Sequence, residues 1–182
     1  MFSSVSATAA EIAAACAGDD LVDPADVVMD RAFTLLGSPQ DVWPWLLQLG
    51  KCRAGWYLPR RIERFIPRTR RAARTVDRAW LQLKVGDVIP DYGGRNETFE
   101  VAVLDAPTTL VYRSRRGHTD VTWSISLTAP AANETRVRLR LRLAPVRRVW
   151  LAKSGGELID LLTIAGKAAG LRERLRAAEG AA

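Results

Sequence analysis

Residues 121–143 of the chain read VTWSISLTAPAANETRVRLRLRL, and this stretch decides the fold. Apolar side chains occupy every second position from Val121 to Leu127, and again from Val137 to Leu143. A period of two places alternate side chains on opposite faces of a β-strand, so each run has one apolar face. The residues between the runs are few enough for an antiparallel hairpin. The stretch therefore predicts two adjacent antiparallel strands with one covered face.

The same period of two recurs towards the amino terminus. Residues 99–103 and 110–115 follow it, and residues 85–88 open this run of strands. Further upstream, residues 27–36 are rich in β-branched and aromatic side chains and end at Gly37, which predicts a separate strand. Short polar connections join the later strands. Together these segments predict a curved antiparallel meander.

Helical signals lie before and after the meander. The sequence Ser38-Pro39-Gln40-Asp41 has a capping side chain, a proline at the first helical position and a carboxylate three residues after the cap. This pattern predicts a helix running to about residue 49, with Pro44 inside it. Residues 58–66 have the spacing of a short amphipathic helix, with arginines on its other face, and residues 68–78 look like an exposed loop.

The carboxy-terminal segment predicts one long amphipathic helix, which ends near residue 178. A single long helix against one antiparallel sheet is an α+β two-layer arrangement. The helix would cover the apolar face of the strands. Its apolar positions are Leu158, Leu161, Leu162, Ala165, Ala169, Leu171 and Leu175.

Composition excludes several classes of protein. The chain has 182 residues, enough for about one domain, and 48% of them are hydrophobic, so it can fill a core. Its two cysteines, Cys16 and Cys52, and its one histidine, His118, cannot form a disulfide framework or an ordinary zinc site. We therefore expect no metal and no cofactor. No apolar stretch approaches the ~20 residues of a membrane span, and no basic residue precedes the apolar residues 7–16, so we expect a cytoplasmic protein.

The net charge of +7 is concentrated in one segment. Residues 51–78 hold ten basic and two acidic residues, so this segment accounts for the whole excess. Such a segment could bind nucleic acid or an anionic membrane surface. No nucleic-acid recognition motif accompanies it, and the alternating arginines of residues 136–142 look like the solvated face of a sheet. On that interpretation, replacing Arg138 and Arg140 should cost no more than ~0.5 kcal/mol each.

Four short sequence motifs resemble those of a known superfamily. They are residues 18–22 (GDDLV), 38–50 (SPQDVWPWLLQLG), 53–57 (RAGWY) and 83–87 (LKVGD). With the order of the predicted elements, they resemble a mostly uncharacterised bacterial branch of the START-like helix-grip superfamily. That superfamily is also called SRPBCC and includes polyketide cyclase/dehydratase-like proteins. The resemblance covers about residues 18–178.

The resemblance implies a helix-grip fold, a curved antiparallel sheet wrapped around a long carboxy-terminal helix. Residues 1–26 would be a peripheral leader, residues 27–178 the helix-grip domain, and residues 179–182 a tail. The superfamily includes lipid carriers, hormone receptors, cyclases and chaperone regulators, so the fold alone does not specify the function.

The function that this fold implies is binding of an apolar or amphipathic small molecule in a cavity between sheet and helix. Small residues in mid-helix, at Ala165, Gly166 and positions 168–170, could leave room for it, or could mark close packing. A dry core remains the alternative. The expected ligand-binding residues are Trp56, Tyr57, Trp80, Tyr112, Trp123, Ile125, Leu139, Leu141, Leu158, Leu161, Leu162 and Ala165.

An enzymatic role would use the same cavity. A cyclase or dehydratase needs a general acid or base near an apolar substrate, and His118, Asp91 or Tyr92 could serve. Each of these residues also suits a solvated turn. The helix of residues 58–66, with its arginine flanks, could instead rest on an anionic membrane surface. The primary expectation is a small-molecule-binding protein, with nucleic acid the less favoured partner.

Overall fold

The alternating runs form one antiparallel sheet. The computed structural model describes residues 5–146 and 156–180. The described strands are β1 (Val27–Leu36), β2 (Val88–Pro90), β3 (Thr98–Asp105), β4 (Thr109–Arg116), β5 (Thr119–Ala131) and β6 (Glu134–Ala144). They lie in the order β1-β6-β5-β4-β3-β2, and every neighbouring pair is antiparallel. The first strand thus pairs with the last.

A long carboxy-terminal helix covers the inner face of the sheet. The described α-helices are α1 (Ala9–Ala13), α2 (Pro39–Leu47), α3 (Arg60–Glu63) and α4 (Glu157–Glu179). Ile164, Ala168 and Leu171 of α4 join one buried core with sheet residues such as Tyr112 and Leu139. The predicted α+β helix-grip arrangement is therefore confirmed. Among the described helices, none has the length and apolar character needed to cross a membrane.

The amino-terminal strand and α2 follow the sequence signals closely. The backbone N–H of Ser38 donates to the Asp41 carboxylate at 2.9 Å, which completes a capping box. Pro44 lies inside α2 as expected. The helix ends two residues earlier than predicted, because the chain turns back and the Ala54 N–H donates to the Gln48 carbonyl at 3.0 Å.

The short amphipathic helix predicted after the aromatic pair has only one turn, α3, and its buried side chain is an acid. Phe65 is 77% exposed, whereas Glu63 is buried. The Glu63 carboxylate accepts hydrogen bonds from Arg174, at 2.7 Å, and from Arg74. Burial raises the pKa of Glu63, but the two arginines outweigh it and leave that pKa below its ordinary value. An internal ion-pair network thus stands where an apolar stripe was predicted.

The small residues in the middle of α4 allow a close approach of the backbone. A Cβ atom at Gly170 would lie 2.7 Å from the Leu58 nitrogen and from the Tyr57 carbonyl carbon. One at Gly166 would lie 2.8 Å from the Leu58 Cδ2 atom. At Gly170 the atoms met belong to the backbone, so only glycine fits there, whereas at Gly166 the end of the Leu58 side chain would have to shift. Of the two explanations left open by the sequence, close packing applies to these glycines.

The arginine row of β6 is not the solvated face that the sequence predicted. Residues 6–23, ahead of β1, lie along the outer face of the sheet and cover its arginines. Arg138 donates to the Ala14 carbonyl at 2.6 Å, and Arg136 pairs with Glu11 at 2.7 Å. The Arg136 guanidinium lowers the pKa of Glu11 to about 2. The expected peripheral leader is therefore held to the sheet by charged hydrogen bonds.

Arg140 is the most deeply placed member of this row, with only 5% of its surface exposed. Its guanidinium donates to Asp30 and to Asp19, each at 2.9 Å, and to the Ile12 carbonyl at 2.6 Å. The small cost predicted for replacing an exposed arginine is wrong for this residue. A period of two identifies the outer face, but it does not show that another segment covers that face.

We predict that Arg140→Gln lowers the free energy of unfolding by about 3 kcal/mol, because it leaves the buried Asp30 carboxylate without its main partner. Urea unfolding monitored by circular dichroism measures this. Arg113→Gln is the matched control, since it breaks an exposed ion pair to Glu100 in the same sheet and should leave the unfolding midpoint unchanged. Equal midpoints for the two variants would contradict the covered arginine row.

Candidate functional site

A cavity of about 340 Å³ opens between the inner face of the sheet and the first half of α4. Strands β3 to β6 each contribute a side chain, and the rest come from α4 and from two connecting segments. Most of the lining is aromatic or aliphatic. The lining residues are Trp56, Asp91, Tyr92, Gly93, Phe99, Arg116, Trp123, Leu141, Asp160, Thr163 and Ile164.

Register across the sheet builds the apolar wall of this cavity. Trp123 of β5 pairs directly with Tyr112 of β4 on one side and with Leu141 of β6 on the other. The Trp123 ring stacks on Trp56 with centroids 6.1 Å apart, and it lies 6.0 Å from Phe99. These separations are typical of favourable aromatic pairs. The result is a continuous aromatic surface, and the described side chains leave the space in front of it open.

Two ion pairs flank the aromatic wall. Arg116 binds the Asp91 carboxylate at one side, and its guanidinium lies 5.1 Å from the Phe99 ring centroid. Asp160 pairs with Arg31 at 3.0 Å on the other side. Each carboxylate that lines the cavity therefore has an arginine partner, and neither is an unengaged base.

Lys167 lies behind the aromatic wall and has none of its surface exposed. Its Nζ atom is 4.4 Å from the Trp123 ring centroid and 4.9 Å from that of Trp56. Within residues 5–146 and 156–180, no hydrogen-bond partner for this atom is present. The two rings that line the cavity thus enclose a buried amine.

Burial lowers the pKa of Lys167 to about 7, and the Asp160 carboxylate offsets only part of that effect. The Trp faces attract an ammonium ion and act in the opposite direction. They cannot replace the hydrogen bonds that an ammonium group loses on leaving water, so the net direction is downwards. Lys167 therefore titrates near neutral pH, which is unusual for a lysine.

Larger hollows occur elsewhere on the described surface, but their walls differ in kind. One of about 870 Å³ runs between α2 and the end of α4, and Arg74 in its wall is already paired with Glu63 and Glu173. Another of about 390 Å³ lies on the outer side of the sheet, with Glu100 and Arg113 paired in its wall. The smaller cavity is the better candidate because it combines aromatic walls with an unpartnered polar group.

Several expected site residues line or border this cavity. Trp56, Trp123 and Leu141 line it, as do the acid–base candidates Asp91 and Tyr92. The Asp91 carboxylate accepts hydrogen bonds from the backbone N–H groups of Tyr92 and Gly93 and binds Arg116. It therefore stabilises the turn. Tyr92 is 54% exposed, and partial burial raises the pKa of its phenol.

Other expected residues lie away from the cavity. His118 is exposed in the turn between β4 and β5. Leu158 and Leu162 are 55% and 49% exposed, so the first turns of α4 do not follow the predicted apolar stripe. Trp80 stacks under Arg53, whose Cζ atom lies 4.9 Å from the Trp80 ring centroid. The remaining expected residues pack in or against the core: Tyr57, Tyr112, Ile125, Leu139, Leu161 and Ala165.

Tyr57 illustrates why a residue next to the site is not part of it. The Tyr57 ring is fully buried, and its hydroxyl donates to the Trp45 carbonyl at 2.8 Å and accepts from Gln48 at 3.0 Å. Burial raises the pKa of this phenol. Trp56 points the opposite way, so the neighbouring pair supplies one core residue and one cavity residue.

The sequence reasoning missed Lys167, Phe99 and Arg116. A signal for Lys167 was present, because it falls between Ile164 and Leu171 on the apolar face of the long helix. A charged residue at such a position is rarely buried without a reason. Phe99 and Arg116 lay in the predicted strands, but their meeting depends on the register of β3 and β4.

Comparison with known proteins supports the fold and leaves the function open. No family model and no curated protein sequence matches the chain. Among solved structures, protein MLL2253 from Mesorhizobium loti superimposes with a TM-score of 0.50 at 18% identity, covering 81% of this chain and 98% of that one. Norcoclaurine synthase from Thalictrum flavum gives 0.51 at 11% identity, covering 84% and 96%.

The chain has the helix-grip fold. Its similarity to these structures supports this architecture. At these identities a shared architecture carries no substrate or residue role across.

We predict that Lys167→Met raises the free energy of unfolding by about 1–3 kcal/mol at pH 7, because it removes an unpartnered buried polar group. A lysine with a pKa near 7 in the folded protein and near 10.4 when unfolded makes stability rise with pH across that window. The advantage of the variant should thus be greatest at pH 7 and below, and shrink towards pH 10. Thermal melts of both proteins across this range measure it. A constant difference would contradict the lowered pKa.

Proposed function

We propose that the protein binds an apolar or amphipathic small molecule in the cavity between sheet and helix. The observation that carries this proposal is the aromatic wall of Trp56, Phe99 and Trp123, which borders unfilled space of about 340 Å³. Ligand sites are typically concave, largely apolar and about 300–1,000 Å³ in volume. The four sequence motifs at residues 18–22, 38–50, 53–57 and 83–87 support a place for the chain in the bacterial branch of the helix-grip superfamily.

The shape of the wall favours a flat ligand. Trp56 and Trp123 have interplanar angles of 25° to each other, and Tyr92 meets Trp56 edge-on at 6.3 Å. A planar ring can stack on the exposed part of such a surface, and aromatic pairs contribute beyond the area they bury. An aromatic or polycyclic ligand thus fits better than a flexible fatty chain.

The other functions left open by the sequence gain less support. The acid–base candidates for a cyclase or dehydratase are a carboxylate held by Arg116, a half-exposed phenol, and a histidine in an exposed turn. For nucleic acid, the arginines of β6 are engaged by the covering segment, and Arg74 is part of an internal ion-pair network. Both sets of contacts reduce the basic surface that is available to bind nucleic acid.

Aromatic compounds of two or three rings should raise the melting temperature of the protein, since a ligand that prefers the folded state stabilises it. Thr163→Trp should abolish this shift, because residue 163 lines the cavity and its side chain is exposed enough to be replaced without unfolding. Differential scanning fluorimetry measures both.

Leu162→Trp is the matched control, because it adds the same side chain at the neighbouring position, which is 49% exposed and does not line the cavity. It should keep the ligand-induced shift. If a panel of such compounds shifts neither the wild type nor the control, the binding function is wrong.

A second candidate function rests on Phe65, which is 77% exposed beside Ile62 at 41%. The Arg64 guanidinium lies over the Phe65 ring at 4.6 Å, and further arginines flank it. An exposed aromatic ring surrounded by basic groups suits the interface of an anionic membrane. On this proposal the protein exchanges its ligand at such a surface.

Binding to vesicles of phosphatidylserine and phosphatidylcholine should fall several-fold in Phe65→Ser. It should also weaken between 0.05 and 0.5 M salt, because exposed charges are screened over ~10 Å at 0.1 M. Co-sedimentation measures both effects. Val85→Ser removes another exposed apolar side chain, outside residues 60–78, and should bind as the wild type does. Equal binding by all three proteins would exclude this second function.

A further inference from the structure

Lys167 occupies the inner end of the helix face that lines the cavity. Asp160 and Ile164 both line the cavity, and Lys167 follows them at helical spacings of seven and three residues. Residues at these spacings share one face of a helix. The Lys167 amine is thus directed towards the same space, with the rings of Trp56 and Trp123 between it and the open cavity.

The amine has unmet hydrogen-bonding capacity. Its Nζ atom is fully buried and has no hydrogen-bond partner among the described residues. The buried Arg174, seven residues further along the same helix, instead donates to Glu63 and to the carbonyls of Ala73, Leu58 and Gly170. Buried polar groups in folded proteins are nearly always satisfied, so an exception calls for an explanation.

The charges around the cavity indicate which partner is missing. Asp91 is bound by Arg116, and Asp160 by Arg31. Asp160 attracts a protonated Lys167, but burial outweighs this attraction, and no carboxylate of the described lining is hydrogen-bonded to the amine. An anion would meet this charge in a dry, aromatic site, where such an interaction is strong.

We propose that Lys167 is the receptor for a single acidic group, such as a carboxylate, on an aromatic ligand bound in the cavity, and that the amine takes up a proton when this ligand binds. The inference rests on the proposed function and specifies its ligand class. The ammonium ion would be stabilised by the anion and by the faces of both Trp rings. Binding therefore creates the charge and its partners together.

Trp56 controls access to the amine. Its indole nitrogen donates to the Thr163 carbonyl at 3.4 Å, which is a long hydrogen bond, and its side chain is only half-buried. Rotation of this one side chain opens a route from the cavity to Lys167. Trp123 is held between Tyr112 and Leu141 in the sheet and stays in place.

The other titratable groups near the amine are two carboxylates with arginine partners and two phenols. On the same helix Asp160 is paired with Arg31 of β1, and on the sheet side Asp91 is paired with Arg116 of β4. The phenols of Tyr92 and Tyr112 both have a pKa raised by burial, so they stay protonated at neutral pH. Proton uptake between pH 7 and 9 that is lost in Lys167→Met would thus report on Lys167.

Calorimetric titration with 2-naphthoate and its neutral isostere 2-naphthamide tests the proposal. At pH 8.5 the wild type should take up about one proton per naphthoate bound, detected as a dependence of the binding heat on buffer ionisation enthalpy. It should take up none with naphthamide, and less with naphthoate at pH 6, where the amine is already protonated. Naphthoate should bind about ten-fold more tightly than naphthamide at pH 6.

Two variants assign the effect to Lys167. In Lys167→Met the proton uptake and the preference for naphthoate should both disappear, while naphthamide still binds. Lys167→Arg keeps a positive charge that does not titrate, so it should bind naphthoate without proton uptake. Proton uptake that persists in Lys167→Met, or a wild type that binds both compounds equally with no uptake, would overturn the proposal.

The outcomes separate this inference from the function on which it rests. If both compounds bind with equal affinity and Thr163→Trp blocks both, the cavity binds ligands and only the role of Lys167 is wrong. If neither compound binds the wild type, the Lys167 receptor is wrong. Failure of the wider aromatic panel in the melting experiment would then reject the cavity function as well.

Discussion

The close contact between Gly170 of α4 and the backbone of Tyr57 and Leu58 is the constraint on which the candidate site depends. Because a Cβ atom at Gly170 would lie 2.7 Å from both neighbours, the segment can be seated there only against a glycine. Arg174 then fixes the segment with hydrogen bonds to the Leu58 carbonyl and to Glu63. Trp56 comes directly before this anchored pair, so the same contact places its ring against Trp123.

Two buried basic side chains of α4, Arg174 and Lys167, show how one helix can combine stability and function. Arg174 has a carboxylate and several carbonyl partners, so its burial ties the helix to the preceding segment. Lys167 is equally buried, but its amine lies against the Trp56 and Trp123 rings and has no hydrogen-bond partner in the part of the chain that the structure describes. A buried basic group with hydrogen-bond partners can stabilise the folded state, whereas one without such partners destabilises it. Such a cost is characteristic of functional sites.

Much of the fold could be predicted from the sequence because the strands of the meander obey a period of two and α2 has a complete capping sequence. The arginines of residues 136–142 show the limit of this reasoning: their alternation identified the outer face, yet only the folded chain shows residues such as Ala14 and Asp19 covering it. For the cavity, Trp56, Trp123 and Leu141 were expected, whereas Leu158 and Leu162 are exposed. Periodicity selects a helix face, but the extent of the covering sheet decides which turns are buried. Lys167 was overlooked because its polarity opposed the pattern.

Because the backbone beside Trp56 is anchored, a ligand enters the cavity more easily by rotation of a side chain than by movement of this segment. The neighbouring Tyr57 is fully buried and doubly hydrogen-bonded through its hydroxyl, so opening the cavity by moving this segment would expose core. Rotating the half-buried Trp56 side chain breaks one long hydrogen bond and the ring contacts with Trp123, Tyr92 and Lys167, but it leaves the backbone in place. Side-chain rotations are far faster than rearrangements of packed segments. The ring that stacks on a ligand can therefore also admit it, and an acidic group that reaches Lys167 would hold that ring open by occupying the space behind it.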